Sequence, residues 1–192
     1  MTDFFVLFKQ PRLPWLDADV VKEKYHQLTR AAHPDVSGAH RDIEFDEVTE
    51  GYRVLSDPRL RIQHLLALQG ELPDAGSRVP PADLQDLFLQ VATLTQKTQG
   101  LFANMAGKSS PLILSFMKTE IVKLRSQIEP LLDAVQRSYE TSVGELRALN
   151  ETWKQNSAAT IPELRALHDR LSYLSRWIEQ LKEMQFQLTA SG

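Results

Sequence analysis

The residues of this chain best equipped for chemistry lie close together. His33, Pro34 and Asp35 set an imidazole and an acceptor-only carboxylate on either side of a rigid proline. Lys22, His26 and Arg30 precede them at successive four-residue steps, so on a helix they form one cationic stripe leading up to the tripeptide. As punctuation alone, Pro34 ends a helix by disfavouring helical geometry at His33, and Asp35 shapes the loop that follows. A turn needs neither the histidine nor the stripe.

Catalytic sets are not found elsewhere. The five histidines do not pair with carboxylates at metal-ligand spacing, and no cysteine is present to act as ligand, nucleophile or disulfide partner. Gly107-Lys108-Ser109 lacks the first glycine and the preceding strand of a phosphate loop, so it reads as a connection between helices. The expectation is a protein that is not an enzyme and carries no cofactor or metal.

The totals agree with a globular chain. Its 192 residues allow one large or two small domains, with 42% hydrophobic and 24% charged residues. A net charge of −3 gives no general electrostatic reason to bind nucleic acid. No apolar run approaches the roughly 20 residues that cross a bilayer, and Lys9 and Pro11 come too early for a signal peptide. The expected location is the cytoplasm, without nucleic-acid or membrane partners. The sequon at Asn150-Glu151-Thr152 then reads as chance.

The elements that must position the tripeptide are helices. "DFFVLF" is a short apolar turn closed by Pro11 and Pro14. Asp17 suits the cap of a second helix, whose Val21, Tyr25, Leu28 and Ala32 face inward while the stripe faces the other way. A third helix places Phe45, Val48, Tyr52 and Leu55 on one side. The fourth has Asp57 as cap, Pro58 at its first position and Gly70 at its exit. Residues 71–82, "ELPDAGSRVPPA", concentrate three prolines and a glycine and mark a linker.

Beyond the linker the patterns lengthen. Leu84, Leu87, Phe88, Val91, Leu94, Leu101, Phe102 and Met105 trace one apolar face. A second helix opens at Pro111 and extends toward Trp153, either continuous or kinked at Pro130, where a backbone hydrogen bond is missing. Thr160 and Glu163 have capping-box spacing and open a last helix to Leu188. Short loops favour antiparallel neighbours, hence a three-helix bundle. The predicted boundaries are 1–72, a linker at 73–82, and 83–192.

"DFFVLF", "YHQLTRAAHPD" and "FDEVTEGYRVLSDPRLR", with their spacing, resemble the J-domain, which stimulates ATP hydrolysis by DnaK-type chaperones. "RIQHLLALQG", "LNETW" and "RLSYLSRWIEQL" narrow the resemblance to co-chaperones of the HscB type. The resemblance implies an all-α fold, a J-domain of a short helix, an antiparallel helix hairpin and a fourth helix, followed by a C-terminal three-helix bundle. It implies that His33, Pro34 and Asp35 dock on a DnaK- or HscA-type chaperone, with Lys22, His26 and Arg30 as the basic face. It also makes Tyr25, Leu28, Phe45, Tyr52 and Leu55 core residues.

The family's second surface binds an IscU-type scaffold in iron–sulfur cluster assembly. Here the matching region, "DLQDLFLQVATLTQK", holds little acid beyond Asp83 and Asp86, where family members repeat acidic residues. Leu84, Phe88, Leu89 and Tyr173 are the candidates for that contact. On periodicity alone Leu84 and Phe88 are equally well bundle core, whereas an exposed Leu89 favours binding. A J-domain protein with a different client, or a helical scaffold protein outside chaperone systems, are the alternatives.

Overall fold

The computed structural model describes residues 1–32, 45–71, 79–105 and 111–190. The described residues form seven α-helices and one 3-10 turn, with no strand among them. They are α1 (Phe4–Leu7), α2 (Ala18–Ala32), α3 (Phe45–Ser56), α4 (Pro58–Leu68), the 3-10 turn Ala82–Leu84, α5 (Gln85–Met105), α6 (Pro111–Gln155) and α7 (Ser157–Ala190). They form two compact units, residues 1–76 with 142–168, and residues 77–141 with 169–192.

The first unit is built from short helices fixed by aspartate caps. Asp3 accepts from Phe5 and Val6 N–H, Asp17 from Asp19 and Val20 N–H, and Asp57 from Arg59 and Leu60 N–H. Pro58 opens α4, and Gly70 leaves it in the left-handed region at φ 78°. α3 packs against α1, α2 and α4. Phe5, Phe8, Leu16, Val21, Val48, Leu55, Ile62 and Leu65 are buried there. Gly51 permits the approach of α1, because a Cβ at that position would lie 2.6 Å from Phe8 Cε2 and 3.1 Å from Phe4 Cδ1.

One expected core residue is not in the core. Phe45 is 51% exposed, while Val54 on the same helix is buried. Phe45 is the first residue of α3, so its side chain leans past the end of the packed face.

The second unit buries a continuous apolar stripe from each of its helices. Leu84, Val91 and Leu94 meet Ile121, Leu124, Ile128 and Val135 of α6 and Leu174, Trp177 and Leu181 of α7. Leu87, Leu101 and Phe102 pack against this cluster, as their spacing predicts. α6 is a single helix of 45 residues with Pro130 inside it. The last helix begins earlier than the capping-box spacing predicts. Asn156 Oδ1 accepts from Ala159 N–H at 3.1 Å, which starts α7 at Ser157, and the Thr160 hydroxyl turns back to the carbonyls of Asn156 and Ser157.

Candidate functional site

α2, the helix that carries the cationic stripe, is positioned from its cap upward. Asp17 fixes the start of α2, and Val21 anchors its inner side at 1% exposure. One turn later the Tyr25 ring stacks on Tyr52 of α3, with centroids 4.4 Å apart. Lys22, His26 and Arg30 are all exposed on α2, as the spacing predicts. The stripe points to solvent over the described length of the helix, so its charge is available to a partner. His33, Pro34 and Asp35 lie outside the described residues.

Two buried polar side chains of α4 tie together the segments around this helix, and their residue types gave no sign of it. Arg61 is 3% exposed; its Nε donates to Pro14 O at 2.9 Å and a terminal nitrogen donates to Leu55 O. It ties the loop before α2 to the end of α3. His64 is 7% exposed, and its Nε2 accepts from Phe4 N–H at 3.2 Å beside the rings of Phe4 and Phe5. That bond requires the neutral imidazole. Burial pushes the His64 pKa down; the nearby Asp3 carboxylate opposes this and Arg12 adds to it.

The far ends of α6 and α7 complete the first unit. Asn150 Oδ1 accepts from Trp15 N–H at 2.9 Å, and its Nδ2 donates to Trp15 O at 3.0 Å. Trp153 Nε1 donates to Arg12 O at 2.9 Å, and the Arg147 guanidinium sits 4.7 Å from the Trp15 ring centroid. Arg165 of α7 pairs with Glu71. The sequon asparagine is thus occupied by backbone bonding. The proximity of Asn150 and Trp153 within "LNETW" was the available signal, but nothing local names their partners 135 and 141 positions away.

In the second unit the four candidates for client contact do not form one patch. Leu84 is 2% exposed and belongs to the core. Phe88 is 40% exposed and lines a groove of α5 and α7 with Ala92, Thr95, Trp177 and Gln180. Its ring centroid is 6.2 Å from that of Trp177, which is 5.6 Å from Tyr173. Tyr173 is partly buried, with the Arg176 guanidinium 5.6 Å from its ring centroid. Leu89 is 60% exposed and lines a different groove, of α5 and α6, with Thr93, Lys97, Gln127 and Pro130. Phe88, Trp177 and Tyr173 therefore form a run of rings, and Leu89 stands apart from it. Asp83 is paired with Arg170, which removes one of the few acids from free contact.

Among the described residues no group of three or more His, Cys, Asp or Glu could hold a metal ion, and no helix is long and apolar enough to cross a membrane.

The chain is similar to known proteins. The chain is 33% identical over 75 residues to a co-chaperone protein HscB homolog of Shewanella oneidensis, covering 35% of this chain and 43% of that protein. It is 47% identical over 49 residues to the chaperone protein DnaJ of Brevibacillus choshinensis, covering 25% of this chain and 13% of that protein. The human co-chaperone protein HscB superposes with a TM-score of 0.55 at 19% identity, covering 97% of this chain and 84% of the human one. The fold is that of HscB. Chaperone HscB from Vibrio cholerae gives a TM-score of 0.54 at 17% identity over 97% of this chain and 99% of its own. The sequence likeness to curated HscB homologues spans less than half of their length. No family model matches the chain. The HscB-like fold is an all-α J-domain with a C-terminal helical bundle, as the resemblance implies.

Proposed function

We propose that this protein is a non-enzymatic J-domain co-chaperone that stimulates the ATPase of a DnaK- or HscA-type chaperone and presents a client to it. The observation that carries the reading is the exposed Lys22–His26–Arg30 stripe on a capped helix that leads directly into His33-Pro34-Asp35. The likeness to HscB homologues and to DnaJ supports it. The stripe steers the encounter with an acidic chaperone surface and orients the tripeptide. His33 then hydrogen-bonds at the chaperone, and ionised Asp35 accepts a charge-assisted bond from a chaperone arginine. Bound this way, the tip biases the chaperone toward its hydrolysis-competent state.

Residues 1–72 carry this docking function in our reading, and 83–192 hold the client, connected by 73–82. A client held on the same chain as the docking tip is presented at high effective concentration. An IscU-type scaffold is the client that the HscB likeness suggests, contacting Phe88 and Tyr173 along the run of rings, with Leu89 outside it. A different client is the second reading. It is favoured by the scarcity of acids on α5 and the turn before it, where Asp83 is already paired.

Steady-state ATPase of a DnaK-type chaperone, with and without an IscU-type scaffold, tests the proposal. Wild-type protein raises the rate, and His33→Gln abolishes the stimulation while the helical circular-dichroism signal is unchanged. Stimulation retained by His33→Gln would refute the docking role. Failure to bind the scaffold, with stimulation intact, selects the different client.

A further inference from the structure

The loop Pro11–Asp17 holds no residue of the cationic stripe, yet α6 commits three side chains to it. Asn150 treats Trp15 as a strand treats its neighbour, accepting from its N–H at 2.9 Å and donating to its carbonyl at 3.0 Å. Trp153, three residues on, takes the Arg12 carbonyl, and Arg147, three residues back, covers the Trp15 ring. From the opposite direction, Arg61 of α4 takes the Pro14 carbonyl. Trp15 is therefore fixed at both of its backbone groups, at its ring and through the residue before it. Two positions later Asp17 caps α2.

A helix whose cap lies two residues from a pinned backbone cannot shift or rotate at its start without breaking the pin. We propose that Asn150 is a positioning residue for chaperone docking: by clasping both backbone groups of Trp15 it sets where α2 begins, and so the direction in which Lys22, His26 and Arg30 face their partner. This inference rests on the docking role proposed above. It gives the end of α6 a task on the chaperone side.

Asparagine is the residue type that the clasp needs. Its amide places one donor and one acceptor side by side, matching the carbonyl and N–H of a single extended residue. Aspartate keeps the acceptor for Trp15 N–H but sets a carboxylate against the Trp15 carbonyl. Leucine offers neither group and leaves both backbone atoms without their partner.

The test is a titration of chaperone ATPase stimulation with wild type, Asn150→Asp and Asn150→Leu, below the onset of melting of each. Amide hydrogen exchange across residues 15–20 is measured in parallel. Asn150→Leu raises the concentration for half-maximal stimulation about fivefold to tenfold, as expected for one to two lost hydrogen bonds. Maximal stimulation is unchanged, because His33, Pro34 and Asp35 are untouched. Asn150→Asp falls between wild type and Asn150→Leu, and exchange at 15–20 quickens in the same order while residues 170–188 are unaffected. A half-maximal concentration equal to wild type in Asn150→Leu overturns the inference, whatever the exchange shows, and so does unchanged exchange. Absence of stimulation by wild-type protein is a separate result: it overturns the docking role and this inference with it.

Discussion

The two compact units of this protein are held by different kinds of contact. In the first, side chains pin the backbone at named points: Asn150 at Trp15, Trp153 at Arg12, Arg61 at Pro14 and Leu55, His64 at Phe4. In the second, apolar positions at helical spacing meet in one stripe, and a polar tie such as Gln180 to Thr95 is incidental to it. Directional contacts need a particular atom in a particular place; packing needs volume and shape. The first unit is thus built to present one geometry, and the second to tolerate changes of side chain on its surface.

Conservative substitutions break the comparison most sharply. Arg61→Lys retains the charge but loses the planar fork that reaches two carbonyls, and should cost about 2–3 kcal/mol. Leu181→Met, equally conservative in the second unit's core, should cost less than about 1.5 kcal/mol. Urea unfolding midpoints at constant slope compare the two; equal losses would remove the distinction. Gly51→Ala comes next. Its Cβ would meet the Phe8 ring at 2.6 Å, so that ring or the segment carrying it must shift, at a cost of about 1–3 kcal/mol by overpacking. Fluorescence-detected unfolding would show it, and a stability gain would contradict the close approach.

The smallest effect is a dependence on pH. His64 is buried neutral, and its folded-state pKa lies below that of an unfolded histidine, about 6.5. The unfolded chain binds the proton more readily, so stability is complete above that value and is lost as pH falls through the folded-state pKa. Protonation also removes the acceptor from Phe4 N–H. Unfolding midpoints between pH 5 and 8 should fall on acidification, and His64→Phe should flatten that fall; an unaltered slope would place its origin elsewhere.

Much of the local architecture is legible in the sequence because its causes are local. Asp17 and Asp57 cap, Pro58 opens a helix, Gly70 closes it, and the spacing of Val91 and Leu94 marks the core face. The misplacements have physical reasons. Phe45 lies at a helix end, where periodicity no longer dictates burial. Asn156 out-competes Thr160 as a cap because it lies one turn earlier and the chain between is already helical. The client candidates divided because Phe88 and Leu89 are consecutive, and consecutive residues on a helix turn by about 100°. Arg61 and His64 were hidden for another reason. A buried arginine or histidine looks on paper like a surface one, and only the fold supplies the carbonyls and the N–H that satisfy it.

The clasp on Trp15 also sets a schedule for the nascent chain. Asn150 is made 135 residues after its partner, an interval of about 7–27 s at the usual 5–20 residues per second of synthesis. For that time the loop before α2 has left the ribosome with Arg61 to hold Pro14 but without the α6 side chains that hold Arg12 and Trp15. The module with the basic stripe closes only when translation of α6 is nearly complete, so assembly of the first unit is a late event in the life of the growing polypeptide.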